Sequence, residues 1–128
     1  MIINNISPFI VESEKSLRTA LDKLNSNQYK IIFVTDKKGK LIGSFSDGDF
    51  RRWILAGNRY AYDLRVVDLC CKDVKFVLSQ KLNSLSKTDF SNGKNLLPIV
   101  DEFGHIIRIA TEAGSGFSIG NYTITSSS

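Results

Sequence analysis

Apolar residues recur at helical spacing near the start of the chain. The four members of this pattern, one face of an α-helix at i, i+3, i+4 and i+7, are Leu17, Ala20, Leu21 and Leu24. Ser13 is a candidate N-cap for the helix, and Glu14 favours its positive end. Directly upstream, the apolar residues 9–11 predict a short strand.

A pattern of fourteen residues is repeated 65 positions further along the chain. Residues 33–46 align without a gap on residues 98–111, so that Asp36 matches Asp101. Both Asp residues start an Asp-x-x-Gly turn, in which Asp accepts backbone N–H groups and Gly adopts a positive φ. Apolar, β-branched runs flank each turn, at residues 31–35, 40–45, 96–100 and 105–110. Each copy therefore predicts a β-hairpin.

The order of elements in the first copy is strand, helix, strand, strand, helix. Its second helix contains Phe50, Trp53 and Ile54 and is expected to stop near Gly57. The second copy is weaker. Residues 75–78 predict its first strand, residues 80–90 a short or distorted helix, and the Gly-rich stretch after Thr111 a linker in place of a closing helix.

This pattern divides the chain into two repeats and a tail. Residues 1–62 form the first repeat, residues 63–112 a second, degenerate repeat, and residues 113–128 a linker or tail toward a further domain. At the start of the second repeat, residues 64–71 predict a short helix or turn.

Composition narrows the class of protein. The chain has 128 residues and a formal net charge of +4, a length typical of one domain or of two small modules sharing a core. Lys and Arg are spread from Lys15 to Arg108, which disfavours nucleic-acid binding. No apolar run approaches the ~20 residues that cross a bilayer, and the start has no signal-peptide pattern. The neighbouring Cys70 and Cys71 predict core residues in a reducing cytoplasm.

The two copies resemble a CBS domain pair, a module named after cystathionine β-synthase. In the first copy the resemblance is carried by Ser46-Asp47-Gly48-Asp49-Phe50-Arg51-Arg52, which is similar to CBS pairs attached to enzymes of bacterial sugar-acid and sugar-nucleotide metabolism. In the second copy it is carried by Leu97-Pro98-Ile99-Val100-Asp101. The resemblance implies an α+β fold of tandem β-α-β-β-α repeats, packed as a pseudo-twofold pair with the second repeat truncated.

The resemblance also implies a function and a site. CBS pairs are regulatory modules, not enzymes, and their cleft holds an adenine nucleotide or a related nucleotide. Ser46 and Asp49 would contact ribose and phosphate. Thr111 holds the matching position in the second copy, but Gly114 stands where Asp is expected and Arg108 where the first copy has Gly43. One nucleotide per pair is therefore expected (AMP, ADP, ATP or a cytidine sugar nucleotide), with no other cofactor and no metal.

Without the family, Ser46 and Asp49 have two interpretations. Ser-x-x-Asp opening a helix is close to a capping box, and a helix N-terminus is also an anion site. Arg51 and Arg52 favour the second interpretation, because cations in a first helical turn oppose the macrodipole unless an anion binds there. The alternative is that both point to solvent or pair with Asp47 and Asp49. Gly43 either permits a close backbone approach to a ligand or relieves crowding.

Residues 117–124 are similar to the lead-in of N-acetylneuraminate (sialic acid) synthases, typified by Ile-Gly-x-x-x-Ile. This similarity suggests the regulatory part of a sugar-acid biosynthetic protein in the cytoplasm. The alternative is a structural module that forms homodimers through CBS helices, with exposed Trp53 and Ile54 and no functional ligand site. A stand-alone enzyme is disfavoured, because the sequence has no nucleophile–base pair, metal cluster or Gly-rich phosphate loop.

Overall fold

The computed structural model of the chain describes residues 2–84, 96–113, 116–119 and 122–125. The chain divides into two compact units. We call Ser7–Val74 the first unit, and Met1–Ile6 together with Lys75–Ser128 the second unit. The mixed α+β class expected from the sequence is confirmed.

The first unit contains a three-stranded sheet and two helices. Its regular elements are β2 (Ile10–Glu12), α1 (Leu17–Ser26), β3 (Ile31–Thr35), β4 (Leu41–Ser46) and α2 (Asp47–Leu55). Short 3₁₀ turns lie at Ser7–Phe9 and Val66–Asp68. β3 is the central strand, parallel to β2 and antiparallel to β4. This is the strand–helix–strand–strand–helix order predicted from the first copy.

The core of the first unit forms between α1 and the sheet. Its buried members are Val11, Leu17, Ala20, Leu24, Ile32, Val34, Phe45 and Val66. The predicted apolar face of α1 is therefore confirmed. The predicted N-cap was wrong, because Ser16 caps α1 by accepting the Thr19 N–H at 3.1 Å. Ser13 instead donates its N–H to the Thr35 carbonyl at 2.7 Å and so belongs to the edge of the strand.

The second unit is a sheet. Its strands are β1 (Ile2–Ile3), β5 (Val77–Leu78), β6 (Leu96–Val100), β7 (Ile106–Ala113), β8 (Gly116–Ile119) and β9 (Tyr122–Thr125), in the order β5-β6-β7-β8-β9 with β1 also paired to β7. Its core contains Ile2, Leu97, Ile99 and Ala110. The described part of residues 80–90 is a 3₁₀ helix, Ser79–Ser84, in line with the short helix expected there, and residues 85–90 lie outside the described residues.

The tail differs from the expectation. A linker was predicted after Thr111, whereas β7 continues to Ala113 and pairs with β8, which in turn pairs with β9. The Gly residues of this stretch indicated a linker, whereas the alternation of apolar and polar residues over 117–124 is typical of strands. Gly114 lies outside the described residues. That the tail leads toward a further domain stays a prediction.

The two predicted hairpins have the same register. Ile31 pairs with Ser46 and Leu96 with Thr111, and both hairpins contain an irregularity before the turn. Asp36 Oδ1 accepts the N–H groups of Lys38 and Lys40, as Asp101 Oδ1 accepts those of Phe103 and His105. Both turn glycines have φ of 89°. The duplication read from the sequence is thus a duplication of backbone geometry.

Each unit is completed by a segment that precedes the first strand of the other repeat. In the first unit, Cys71 pairs with Ser44 on the edge of β4, through N–H···O bonds of 2.7 and 2.9 Å. In the second unit, Ile3 pairs with Ile109 on β7, 65 positions after Ser44. The spatial units therefore do not follow the predicted repeat boundaries at 62/63 and 112/113, which stay predictions.

Candidate functional site

The predicted site residues of the first copy meet where β4 passes directly into α2. Ser46 is the last residue of β4 and the N-cap of α2, with extended backbone angles (φ −124°, ψ 167°). The two residues before it, Ser44 and Phe45, are fully buried in the sheet. Because no loop separates strand from helix, the sheet fixes the position of the first turn of α2. We call residues 46–52 the 46–52 segment.

Ser46 and Asp49 form the capping box that their spacing predicts. The Ser46 Oγ accepts the Asp49 N–H at 3.1 Å, and Asp49 Oδ2 accepts both the Ser46 N–H at 2.9 Å and the Ser46 hydroxyl at 3.0 Å. The Asp49 side chain is only 16% exposed. The structural interpretation of this pair is therefore realised, and it holds the Asp49 carboxylate in one orientation.

Two of the N–H groups at the start of α2 have acceptors. The Asp47 N–H donates to the Lys30 carbonyl at 3.2 Å, and the Asp49 N–H donates to Ser46. Among the hydrogen bonds recorded for the described residues, none uses the Gly48 N–H. Because an unpaired N–H in a first turn points along the positive end of the helix dipole, Gly48 marks the most electropositive part of this backbone.

Arg51 and Arg52 both pair with acids of the same helix. Arg51 Nη2 lies 3.3 Å from Asp47 Oδ2, with both side chains mostly exposed. Arg52 Nη2 lies 2.6 Å from Asp49 Oδ1, and its own side chain is 71% exposed. Two arginines and two aspartates thus neutralise one another, as the alternative interpretation expected. The exposed Arg51–Asp47 pair contributes only about 0–1 kcal/mol, so the Arg51 guanidinium can exchange its partner at small cost. The Arg52–Asp49 pair is shorter, and its carboxylate is largely buried.

The loop between α1 and β3 contributes to the site, which the sequence did not indicate. Lys30, whose carbonyl caps α2, has φ of 56°, the single non-Gly positive φ among the described residues. Asn27, 5% exposed, holds this conformation because its Oδ1 accepts the Lys30 N–H at 2.9 Å and the Tyr29 N–H at 3.0 Å. An Asn after a helix is a known C-cap signal, but no local pattern marks Lys30.

Gly43 faces the backbone of the chain rather than open space. A Cβ placed on it would lie 2.5 Å from the Cys71 carbonyl oxygen and 3.2 Å from the Cys70 Sγ. The interpretation in which Gly43 relieves crowding therefore fits, since the missing side chain lets Cys71 pair with β4.

Burial raises the pKa of the neighbouring Cys70 thiol. Lys72 lowers this pKa, whereas Cys71 and Asp49 raise it further.

Thr111 and Arg108 lie in the second unit. Thr111 pairs with Leu96, as Ser46 pairs with Ile31, but it is 2% exposed and β7 continues beyond it, so it does not cap a helix. Arg108 is exposed on β7. The geometry therefore brings together Ser46, Asp49, Arg51 and Arg52 at the start of α2. Gly43 lies three residues before Ser46 on β4, and Thr111 is a buried strand residue of the second unit.

Two features are absent from the described part of the chain, a cluster of metal ligands and a membrane-spanning helix. No group of three His, Cys, Asp or Glu side chains there is placed to hold a metal ion. No helix among those residues is both long and apolar enough to span a bilayer. Within the 46–52 segment, Phe50 packs edge-on against Phe45, with ring centroids 6.4 Å apart, and stacks on Trp53, with ring centroids 6.0 Å apart. These rings fix one face of α2 against the core of the first unit.

Comparison with known families gives a match over the first copy. The family model of the CBS domain matches residues 3–56, which include β2, α1, β3, β4 and α2. No curated protein sequence matches the chain.

Comparison with solved structures extends the likeness to most of the chain. A CBS domain protein from Streptococcus pneumoniae aligns with a TM-score of 0.72 over 87% of this chain and 76% of its own, at 17% identity. CbpB from Listeria monocytogenes aligns with a TM-score of 0.66 over 80% and 82%, at 25% identity. The cytosolic domain of the Mg²⁺ channel MgtE, solved in complex with ATP, aligns with a TM-score of 0.58 over 80% and 41%, at 23% identity.

Proposed function

We propose that the 46–52 segment binds a phosphorylated nucleoside, in a chain whose residues 3–56 match the CBS domain model and whose fold resembles that of CBS domain proteins. The chain itself is a cytoplasmic regulatory module and not an enzyme. The ligand is an adenine nucleotide (AMP, ADP or ATP) or a cytidine sugar nucleotide.

One observation carries the proposal: two guanidinium groups lie within the first six residues of α2, beside a Gly48 N–H that has no recorded acceptor among the described residues. α2 has nine residues, so Arg52 belongs to its last turn, but the two guanidinium groups reach back to the first-turn carboxylates of Asp47 and Asp49. A bound phosphate would accept from the Gly48 N–H and from the planar forks of the arginines, beside the positive end of the helix dipole.

Asp49 has capacity left for a ribose hydroxyl. An ionised carboxylate offers about four acceptor positions. Ser46 uses two of them on Oδ2 and Arg52 uses one on Oδ1. The remaining acceptor position on Oδ1 is suited to a sugar hydroxyl of a nucleotide whose phosphate binds at the start of α2. The ATP complex of the similar MgtE domain supports this choice of ligand class.

Binding would regulate a partner or attached enzyme of sugar-acid biosynthesis. The similarity of residues 117–124 to the lead-in of N-acetylneuraminate synthases motivates this part of the proposal. Regulation requires that the nucleotide bind two states of the module with different affinity, because equal binding to both shifts no equilibrium.

Thermal shift and calorimetry with AMP, ADP, ATP and a cytidine sugar nucleotide test the binding. A ligand at ten times its Kd adds about 1.4 kcal/mol, which raises the Tm of a domain of this size by roughly 3–8 °C. Asp49→Ala and the double Arg51→Ala/Arg52→Ala variant should abolish the rise. Arg18→Ala is the matched control, since Arg18 forms a similarly exposed i,i+4 pair with Asp22 at 3.4 Å on α1. If no nucleotide shifts the Tm at millimolar concentration, the binding proposal is wrong.

A homodimer through α2 is the second candidate function. Ile54 and Leu55 at the end of α2 are 41% and 78% exposed, and exposed apolar side chains on one helix are typical of an interface. Sedimentation of the wild type and of Ile54→Ser/Leu55→Ser distinguishes the two functions. A dimer that the double substitution dissociates, in a chain that binds no nucleotide, would make the module structural. Phe103→Ser, at an exposed turn of the second unit, is the control.

A further inference from the structure

The Arg52 side chain lies back across the first turn of α2, against Gly48. A Cβ placed on Gly48 would lie 3.3 Å from Arg52 Nη1, 3.7 Å from Nη2 and 3.8 Å from Cζ. Those distances show that a side chain at this position would touch the guanidinium, which would have to give way by a few tenths of an ångström.

The guanidinium is held there by Asp49. Arg52 Nη2 donates to Asp49 Oδ1 at 2.6 Å, the shorter of the two arginine pairs on this helix. Asp49 cannot follow Arg52 if the arginine moves, because its other oxygen is fixed by Ser46. In the absence of ligand, the strongest phosphate-binding group of the segment is therefore committed to a stationary carboxylate, next to the Gly48 N–H.

Glycine is a costly choice at this place. It sits second in α2, where Ala has the higher helix propensity. Gly48 is helical and its φ is not positive, so its backbone conformation does not require glycine. What glycine does provide here is clearance for the guanidinium.

We infer that Gly48 determines how well the 46–52 segment binds phosphate, by leaving room in which Arg52 exchanges the Asp49 carboxylate for a phosphoryl oxygen while staying on the first turn. This inference rests on the proposed function. The exchange breaks one N–H···O contact and forms another without moving a proton or a covalent bond. A Cβ at residue 48 displaces the guanidinium by a few tenths of an ångström and narrows the space that it shares with the phosphate.

Calorimetry with ATP and with adenosine, which has no phosphate, tests the inference on the full chain. Gly48→Ala should weaken ATP binding about 5- to 20-fold and leave adenosine binding unchanged within twofold. Its Tm without ligand should equal or exceed that of the wild type, so that the loss of affinity is not a loss of folding. In an Arg52→Ala background, Gly48→Ala should change ATP affinity by less than twofold, because the group on which Gly48 acts is gone.

The outcomes separate this inference from the proposal on which it rests. If wild-type protein binds ATP and Gly48→Ala binds it equally well, or loses the same factor with and without Arg52, Gly48 has no role through Arg52 and the inference is overturned while nucleotide binding stands. If the wild type binds neither ATP nor adenosine, both are overturned.

Discussion

Asn27 shows how one buried amide sets the geometry of a distant helix start. Its Nδ2 donates to the carbonyls of Lys23 and Ile31, both at 3.2 Å, and its Oδ1 accepts from Tyr29 and Lys30. All four hydrogen-bonding positions of the amide are used. The left-handed backbone of Lys30, and with it the carbonyl that accepts the Asp47 N–H, depends on this amide.

Asn27→Ala should destabilise the chain by about 2–3 kcal/mol in urea unfolding, because it leaves buried backbone groups without partners. Asn58→Ala is the matched control: Asn58 donates to the Trp53 carbonyl at 2.9 Å, but on the exposed side of the chain, and its loss should cost under about 1 kcal/mol. Equal losses in the two variants would contradict the role given to Asn27.

At the residue scale, the sequence predicts side-chain motifs better than it predicts long-range backbone hydrogen bonds or the space around a residue. The capping box of Ser46 and Asp49 followed from residue type and spacing. The choice of Ser13 over Ser16 was wrong because a backbone bond to Thr35, which joins distant parts of the chain, takes Ser13 out of the helix. The role proposed for Gly48 depends on the space that its missing side chain leaves for the Arg52 guanidinium. A sequence pattern does not show that space.

Among the elements, β4 has an edge on which the Cys71 backbone can pair only because residue 43 is glycine. A Cβ at residue 43 would meet a backbone oxygen at 2.5 Å, and a backbone atom cannot rotate away as a side-chain end can. The same edge carries the two hydrogen bonds between Ser44 and Cys71. The strand before the site and the segment that leaves the first unit are therefore tied together at Gly43.

Gly43→Ala should destabilise the first unit by about 1–3 kcal/mol, as overpacking in a core does, measured by urea unfolding. It should also speed alkylation of Cys70 at pH 8 in a Cys71→Ser background, because release from burial removes the main cause of the raised Cys70 pKa and increases the thiolate fraction. Gly48→Ala is the control for adding a methyl group, since the three nearest atoms to it belong to a flexible guanidinium. A neutral Gly43→Ala would show that the Cys71 segment is not seated on β4.

Hairpins were the most predictable elements, because their turn chemistry is local. The 65-residue offset between the copies holds in the pairing of Ile31 with Ser46 and of Leu96 with Thr111. The elements that were misjudged, β8 and β9, are short strands whose pairing depends on the continuation of β7. Gly residues in that stretch carried more weight in the prediction than the alternation of apolar side chains.

On the scale of the whole molecule, each unit contains a segment that sequence order assigns to the other repeat. Ile2 lies in the core of the second unit with Leu97, Ile99 and Ala110, although the residues that follow from Ser7 belong to the first unit. The sequence predicted two repeats but not this exchange, since two apolar residues in β1 are too few to show a period.

Ile2→Ser should therefore weaken a part of the chain that is remote in sequence. We expect faster amide hydrogen exchange in β6 and β7, corresponding to roughly 2 kcal/mol of lost local stability, and little change in β3 and β4. Ile54→Ser is the control, because Ile54 is exposed on α2. Faster exchange confined to β3 and β4 would contradict the assignment of β1 to the second unit.

The pairing of β1 with β7 also affects the order in which the chain can fold during its synthesis. Ile2 is synthesised well before its partner, and the two can pair only when Ala110 has been made. At about 5–20 residues per second, this strand waits roughly 5–20 s while the first unit can already form. A newly made chain thus exposes an unpaired apolar strand during that interval, and a chaperone that binds short hydrophobic peptides would encounter Ile2 and Ile3 before their own sheet exists.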